Sequence, residues 1–173
     1  MTLPPGALAD LDQQLALLIA LAQNIRNDLA GGIYDPDTVM LARAIQGENV
    51  GVFAERDELA RYLAHVAFNR YTKPWWSKTP DGTLRTLAQV VEEAFHGVVN
   101  VKDPDPWALG IAYAVILTRR AGGWDRADGC LFMLSLEDIE AHGWQVKADN
   151  AVVRKFTASN GAELWFFRDW IGD

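Results

Sequence analysis

The length, composition and charge of the chain already restrict its fold class and its function. Its 173 residues fit one domain able to bury a core, and 50% hydrophobic with 23% charged residues is a globular composition. The net charge of −7, without a stripe of Lys and Arg, argues against binding of nucleic acid. It also provides no attraction to anionic membranes or wall polymers, so a glycan would have to be held by shape and stacking.

The first predicted element is a helix over about residues 7–29, which ends at a Gly-Gly pair. Its apolar run LALLIALA (15–22) is too short to cross a bilayer, and we expect it to be the buried stripe of this helix. The run does not make a convincing signal peptide, because Asp10 and Asp12 precede it and no Lys or Arg does.

Four further helices are predicted in the middle of the chain, each from apolar residues at helical spacing bounded by proline, glycine or polar residues. Their ranges are 35–47 with Asp37 as N-cap, about 55–71, about 84–95, and 105–120. The last of these is apolar on most sides, which is typical of a central, largely buried helix. The segment 72–82 contains two prolines and a glycine and is predicted to be a loop.

The texture of the sequence changes after a glycine-rich break at 121–129. A short strand is predicted at CLFML (130–134), then a short helix within 135–144 whose start is capped by Ser135 and Asp138. The segments AVVRKF and ELWFF flank Asn160-Gly161, a typical hairpin turn. The chain is therefore predicted to be one α-rich α+β domain, with an N-terminal helix (1–32) followed by the main body (33–173).

Metal and thiol chemistry have weak support. Glu93 and His96 have the i, i+3 spacing of di-iron helix bundles, but no second Glu-x-x-His exists, and we predict no metal and no cofactor. His65 lies among apolar residues of a predicted helix, where a hydrogen-bonded core histidine is expected. Cys130 is the single cysteine and lies in an apolar segment, which favours a packed core residue over a nucleophile.

Seven tryptophans are many for a chain of this size. An indole offers an apolar face and an N–H donor, which suits a sugar ring. Three tryptophans lie in predicted loops, where exposure and burial are equally expected: Trp75, Trp76 and Trp124. Three others are expected to fill the core: Trp107, Trp165 and Trp170.

Glu48 follows an apolar helix in AIQGENVG (44–51), where it is either a solvated charge at a helix end or an acid placed beside a cleft. The surrounding motifs are LARAIQGENVG, VAFNR (66–70), VVEEAFHG (90–97), ALGIAYAVIL, GWDRADGCLFM and NGAELWFF. In this order and at these intervals they resemble the cell wall hydrolase family of spore-cortex-lytic enzymes.

The resemblance implies a lysozyme-like single domain, related to lytic transglycosylases and ending in a small β-hairpin. Such enzymes cleave the β-1,4 bond between N-acetylmuramic acid and N-acetylglucosamine in peptidoglycan (the MurNAc-GlcNAc bond), and the matching general acid/base is Glu48. A second catalytic carboxylate is not required, since the N-acetyl and 6-hydroxyl groups of the substrate can act as nucleophiles. Together with the loop tryptophans, the predicted substrate-binding residues are His96, Phe95, Trp75, Trp76, Trp124, Phe132 and Asn69. Lacking a convincing signal peptide, the protein would reach the wall as a phage or prophage lysis protein (an endolysin) or by specialised export.

Two departures from the family pattern keep an alternative open. The second glutamate of the family motif is absent after Glu48, and Glu55 is the candidate to replace it. A Gly-Cys-Leu stands at 129–131, where a small or polar residue is usual in the middle. The alternative is a catalytically inactive relative that binds glycan or a protein partner. An enzyme of this kind requires Glu48, His96 and Phe132 to line one groove.

The remaining polar candidates have structural alternatives. Asn69 and Arg70 end a predicted helix, where a C-cap and a salt bridge are expected more often than contact with substrate. Asp125 and Asp128 lie in a glycine-rich loop, where such carboxylates are most often turn formers.

Overall fold

The computed structural model describes residues 34–48, 52–146 and 152–172, together with Leu15 and Ile19. The helices of these segments are α1 (Pro36–Gly47), α2 (Arg56–Tyr71), α3 (Pro74–Ser77), α4 (Leu87–Ala94), α5 (Pro106–Arg120) and α6 (Leu136–Ala141), with a 3₁₀ helix at His96–Asn100. The strands are β1 (Phe132–Ser135), β2 (Val152–Thr157) and β3 (Glu163–Phe167). The described fold is therefore α+β and mostly helical.

Local capping chemistry determines where the helices begin. The carboxylate of Asp35 accepts hydrogen bonds from the N–H groups of Asp37 and Thr38, and Pro36 occupies the first helical position of α1. The prediction of Asp37 as N-cap was wrong, because Asp37 instead accepts a hydrogen bond from the Ala88 N–H at 2.8 Å and ties α1 to α4. Helix α4 starts later than predicted for a similar reason, since a capping box precedes its first residue.

The core lies between α1, α2 and α5. Its fully buried side chains include Leu41, Ile45, Leu59, Leu63, Val66 and Ile116. The central helix is α2 rather than α5, because every residue from Leu59 to Arg70 except Arg61 is buried, whereas one side of α5 is only partly covered. The sequence pattern hid this, since α2 buries polar residues that lower its apparent hydrophobicity.

The sheet is antiparallel with the strand order β1-β3-β2. The predicted hairpin is confirmed: β2 and β3 are joined through a turn in which Gly161 has a φ of +85° and the Asn160 side chain accepts from the Ala162 N–H. The pairing of β1 with β3, with Phe132 opposite Phe167, was not predicted. It places β3 in the centre of the sheet.

Two expectations about apolar residues were wrong. Leu15 and Ile19 are helical but exposed, so these two side chains do not belong to a buried stripe; the other residues of the predicted helix 7–29 lie outside the described part of the chain. The predicted loop 72–82 contains the short helix α3. Within the described segments, no helix is both long enough and apolar enough to cross a membrane.

Candidate functional site

A groove of about 650 Å³ lies between the helical part and the sheet. One wall is formed by the ends of α1, α2 and α4 with α3 and the start of the 3₁₀ helix, and the other by β1, the start of α6, one residue of β3 and Trp170. Glu48, His96 and Phe132 all line this groove, as the enzyme hypothesis requires. The geometry therefore brings together the proposed acid, the histidine and one predicted aromatic contact.

A contact between two glycine backbones fixes the position of Glu48. A Cβ atom at Gly47 would lie 2.2 Å from the carbonyl oxygen of Gly97, and a Cβ at Gly97 would lie 2.4 Å from the carbonyl carbon of Gly47. Only glycine fits at either position, so the end of α1 and the 3₁₀ helix are in direct backbone contact. This contact brings the Gly97 N–H within 3.3 Å of Oε1 of Glu48, to which it donates a hydrogen bond.

The carboxyl group of Glu48 lies in an environment that favours its protonated form. Burial in the groove raises its pKa above the ordinary value. The Gly97 N–H and the positive charges of His96 and Arg70 lower the pKa, but burial has the larger effect. Glu48 caps the C-terminal end of α1, and its backbone N–H still donates to the Ala44 carbonyl, so the side chain projects from a rigid helix end.

Arg70 connects the two walls of the groove. Its guanidinium donates through Nε to the carbonyl of Leu131 and through Nη1 to the carbonyl of Ala94 at 3.1 Å. Three aromatic rings have their centroids 4.8–5.9 Å from its Cζ atom: Trp76, Phe95 and Phe132. The residue is only 7% exposed, and burial lowers its pKa to about 10. The expected salt bridge does not form, since no carboxylate of the described residues lies within 4.0 Å of its nitrogens.

The aromatic residues are distributed differently from the prediction. Trp76 lines the groove, but Trp75 and Trp124 are 66% and 65% exposed and lie outside it, so these two are not supported as groove contacts. Trp170 was expected in the core, yet it is 45% exposed and lines the groove, with its ring centroid 5.4 Å from that of Phe132. The groove therefore has an aromatic face on each wall.

Phe95 and Asn69 are positioned behind the groove rather than on its surface. Phe95 is buried in the core against Arg70, so it supports the guanidinium instead of meeting a ligand. The amide of Asn69 is fully occupied: it donates to Asp125 at 2.8 Å and to the Cys130 carbonyl, and it accepts from Arg119 at 2.7 Å. Neither residue is left free to bind substrate directly.

Asp125 organises the loop after α5 and faces a buried histidine. Its carboxylate accepts from the N–H groups of Ala127 and Gly129, as expected of a turn former. His65 is 3% exposed, with Nδ1 at 3.5 Å from Asp125, and burial lowers the pKa of His65 to about 4. His65 is thus a neutral core residue at neutral pH, but the hydrogen bond expected for it is absent, because Nδ1 has no hydrogen-bond partner.

The other candidate chemistries find little support in the groove. Cys130 is buried, and burial raises the pKa of its thiol to about 11, which opposes a role as nucleophile. Glu55 does not replace the missing second glutamate, since it lies outside the groove with its carboxylate 2.6 Å from Arg154. Glu93 lines the groove but pairs with Arg85 at 2.6 Å. Among the described residues, no group of three His, Cys, Asp or Glu side chains is arranged to hold a metal ion.

Arg70, Trp170 and the two glycines were missed by sequence reasoning as parts of the site. The sequence contained one usable signal for the glycines, because both flank proposed cleft residues, at Gly47-Glu48 and His96-Gly97. Comparison with known proteins returned no family model, no curated protein and no solved structure that matches this chain. The function must therefore be argued from the groove itself.

Proposed function

We propose that this protein is a peptidoglycan-degrading glycosidase or lytic transglycosylase with a lysozyme-like fold. It cleaves the β-1,4 bond between N-acetylmuramic acid and N-acetylglucosamine, with Glu48 as the proton donor. The observation that carries the proposal is the position of Glu48: a carboxyl group whose pKa is raised by burial, at a rigid helix end, in a groove of about 650 Å³. A glycosidic acid needs such a pKa, because it must hold a proton at neutral pH and donate it to the leaving oxygen.

The carboxyl groups around Glu48 support a mechanism with a single catalytic acid. Glu93 is paired with Arg85, and Asp138 accepts a hydrogen bond from the Ser135 hydroxyl at 2.6 Å. With both carboxylates engaged, the nucleophile would come from the substrate, through its N-acetyl oxygen or its 6-hydroxyl group. Glu48, now ionised, would then take a proton from the attacking water or hydroxyl group, which restores the acid.

Binding of the glycan would depend on shape and stacking. The net charge of −7 offers no general attraction for an anionic polymer, but Trp76 on one wall and Phe132 with Trp170 on the other present flat apolar rings to the groove. Sugar rings pack well on such faces. The groove volume falls within the ~300–1,000 Å³ of typical ligand pockets.

The proposal is tested by digestion of purified peptidoglycan with the wild type, Glu48→Gln and the matched control Glu55→Gln. Loss of a general acid lowers rates by roughly 10²–10⁴-fold, so Glu48→Gln should release almost no soluble fragments. Glu55→Gln should retain the wild-type rate to within about twofold, because Glu55 lies outside the groove. Fragment masses then distinguish the two reactions, since an anhydro product is one water lighter than a hydrolysed one.

A negative result has a specific meaning. If the wild type releases no fragments from several wall types but sediments with insoluble peptidoglycan, the chain is a glycan-binding module and the enzyme assignment is wrong. If it neither cleaves nor binds, the groove serves another ligand. Equal activity of the wild type and Glu48→Gln would remove Glu48 from the mechanism.

A further inference from the structure

The groove contains a positive charge that the proposed mechanism does not use. Arg70 is the only Arg or Lys among the described residues that line the groove, and it shares the groove with the carboxyl groups of Glu48, Glu93 and Asp138. Each of these has a different local partner: Gly97, Arg85 and Ser135, respectively. The guanidinium is thus buried without a carboxylate within ion-pairing distance, an arrangement that costs free energy unless something else compensates.

The existing contacts compensate only part of this charge. Hydrogen bonds to Leu131 and Ala94 use Nε and Nη1, and Nη2 donates none to the residues the structure describes. Trp76, which packs against the guanidinium and also lines the groove, has a buried Nε1 with no hydrogen-bond partner. Two donor groups in one corner of the groove therefore lack acceptors, and both kinds of donor bind carboxylate oxygens well.

We propose that Arg70, assisted by Trp76, is the receptor for a carboxylate group on the bound sugar. The inference deepens the proposed function, on which it rests for the choice of a sugar as ligand, and adds the charge that the groove selects. A ligand carboxylate beside Arg70 forms the ion pair that the protein itself does not provide. It also favours the protonated form of Glu48, which is the form that acid catalysis requires.

The test compares two ligands of nearly equal shape. N-acetylmuramic acid has a free lactyl carboxylate, and its carboxamide replaces that charge by a neutral amide. Their affinities are measured by NMR titration with the wild type, Arg70→Gln, Arg70→Lys and Arg119→Gln. The last is a matched control, because Arg119 is a largely buried arginine that hydrogen-bonds Asn69 and does not line the groove.

We expect the wild type and Arg119→Gln to bind the acid at least about tenfold more tightly than the amide, the discrimination typical of a charge-assisted hydrogen bond. Arg70→Gln should bind both ligands equally, and Arg70→Lys should recover part of the preference. A ratio near one in the wild type overturns the proposal without any variant. A preference that persists in folded Arg70→Gln assigns the carboxylate to another group and also overturns it.

Two further results keep the test decisive. If Arg70→Gln does not fold, the arginine Nε–H signals of the wild type decide: the signal absent from Arg70→Lys must shift with the acid and not with the amide. The outcome is also separable from the proposed function. Preference for the acid without peptidoglycan cleavage refutes only the enzyme assignment, whereas cleavage without that preference refutes only the role of Arg70.

Discussion

The contact between Gly47 and Gly97 makes a quantitative prediction about the position of the proposed acid. In Gly97→Ala, the new methyl group would start 2.4 Å from the carbonyl carbon of Gly47 and 2.5 Å from its oxygen. Ordinary contacts of a Cβ atom begin near 3.4 Å, so the 3₁₀ helix must move away from α1 by about 1 Å. Both contacting groups are backbone, and no side chain can rotate to relieve the overlap.

Two effects should follow from this displacement. Overpacking of this kind costs about 1–3 kcal/mol in the free energy of unfolding. The hydrogen bond from the Gly97 N–H to Glu48 is already 3.3 Å long, so a further 1 Å breaks it. A catalytic group misplaced by about 1 Å can lose on the order of 100-fold in rate, and we expect a loss of this size in peptidoglycan digestion.

The assays are urea unfolding and fragment release, with Gly110→Ala as the control. A Cβ at Gly110, in the middle of α5, meets no atom within 4 Å. This substitution should therefore stabilise the protein by about 0.5–1 kcal/mol through the higher helix propensity of alanine, without a change in activity. If Gly97→Ala unfolds at the same urea concentration as the wild type and digests peptidoglycan at the same rate, the backbone contact does not position Glu48.

Three further predictions concern single side chains. Because the pKa of Glu48 is raised on folding, ionisation destabilises the native state, and stability is lost as the pH rises from 4.5 through the folded pKa. Glu48→Gln should thus be more stable than the wild type at pH 7 and equal to it near pH 4, as measured by urea unfolding. His65 behaves oppositely: the unfolded chain takes up a proton near pH 6.5 but the folded chain only near 4, so acidification between these values destabilises the wild type. At 1.36 kcal/mol per pKa unit this amounts to about 3 kcal/mol, which should vanish from the pH profile of His65→Gln. Trp170→Ala should slow digestion at least several-fold, and Trp75→Ala should not; equal effects of both would contradict the groove as the glycan site.

Local sequence signals predicted most of the secondary structure. The helix predicted at about 55–71 is α2 to within one residue, and Pro106 and Asn160-Gly161 correctly located a helix start and a hairpin turn. The N-cap of α1 was also available, because a proline at the first helical position identifies the preceding Asp35 as the cap. These features depend on neighbours in the chain and can therefore be read from one sequence.

The site was predictable only where chemistry and local position coincide. Glu48 and His96 were found because each follows or begins a recognisable motif, but adjacent residues on a helix point about 100° apart, and the unexpected helix α3 turned Trp76 into the groove and Trp75 away from it. Arg70 was missed because its environment is made by distant residues: Ala94 and Leu131 lie 24 and 61 positions further along the chain. No periodicity in one sequence encodes such pairs.

The construction of the groove from two distant parts of the chain also determines when the site comes into existence. One wall consists of residues 47–97 and the other of residues 132–170. Strand β3 is the central strand of the sheet, so β1 has no partner, and the second wall no support, until residues 163–167 have been synthesised. Contacts between distant segments form late in folding, because a long loop must close before they contribute. A nascent chain therefore has a folded helical half but no groove, and the proposed hydrolytic activity begins only once the final hairpin has docked.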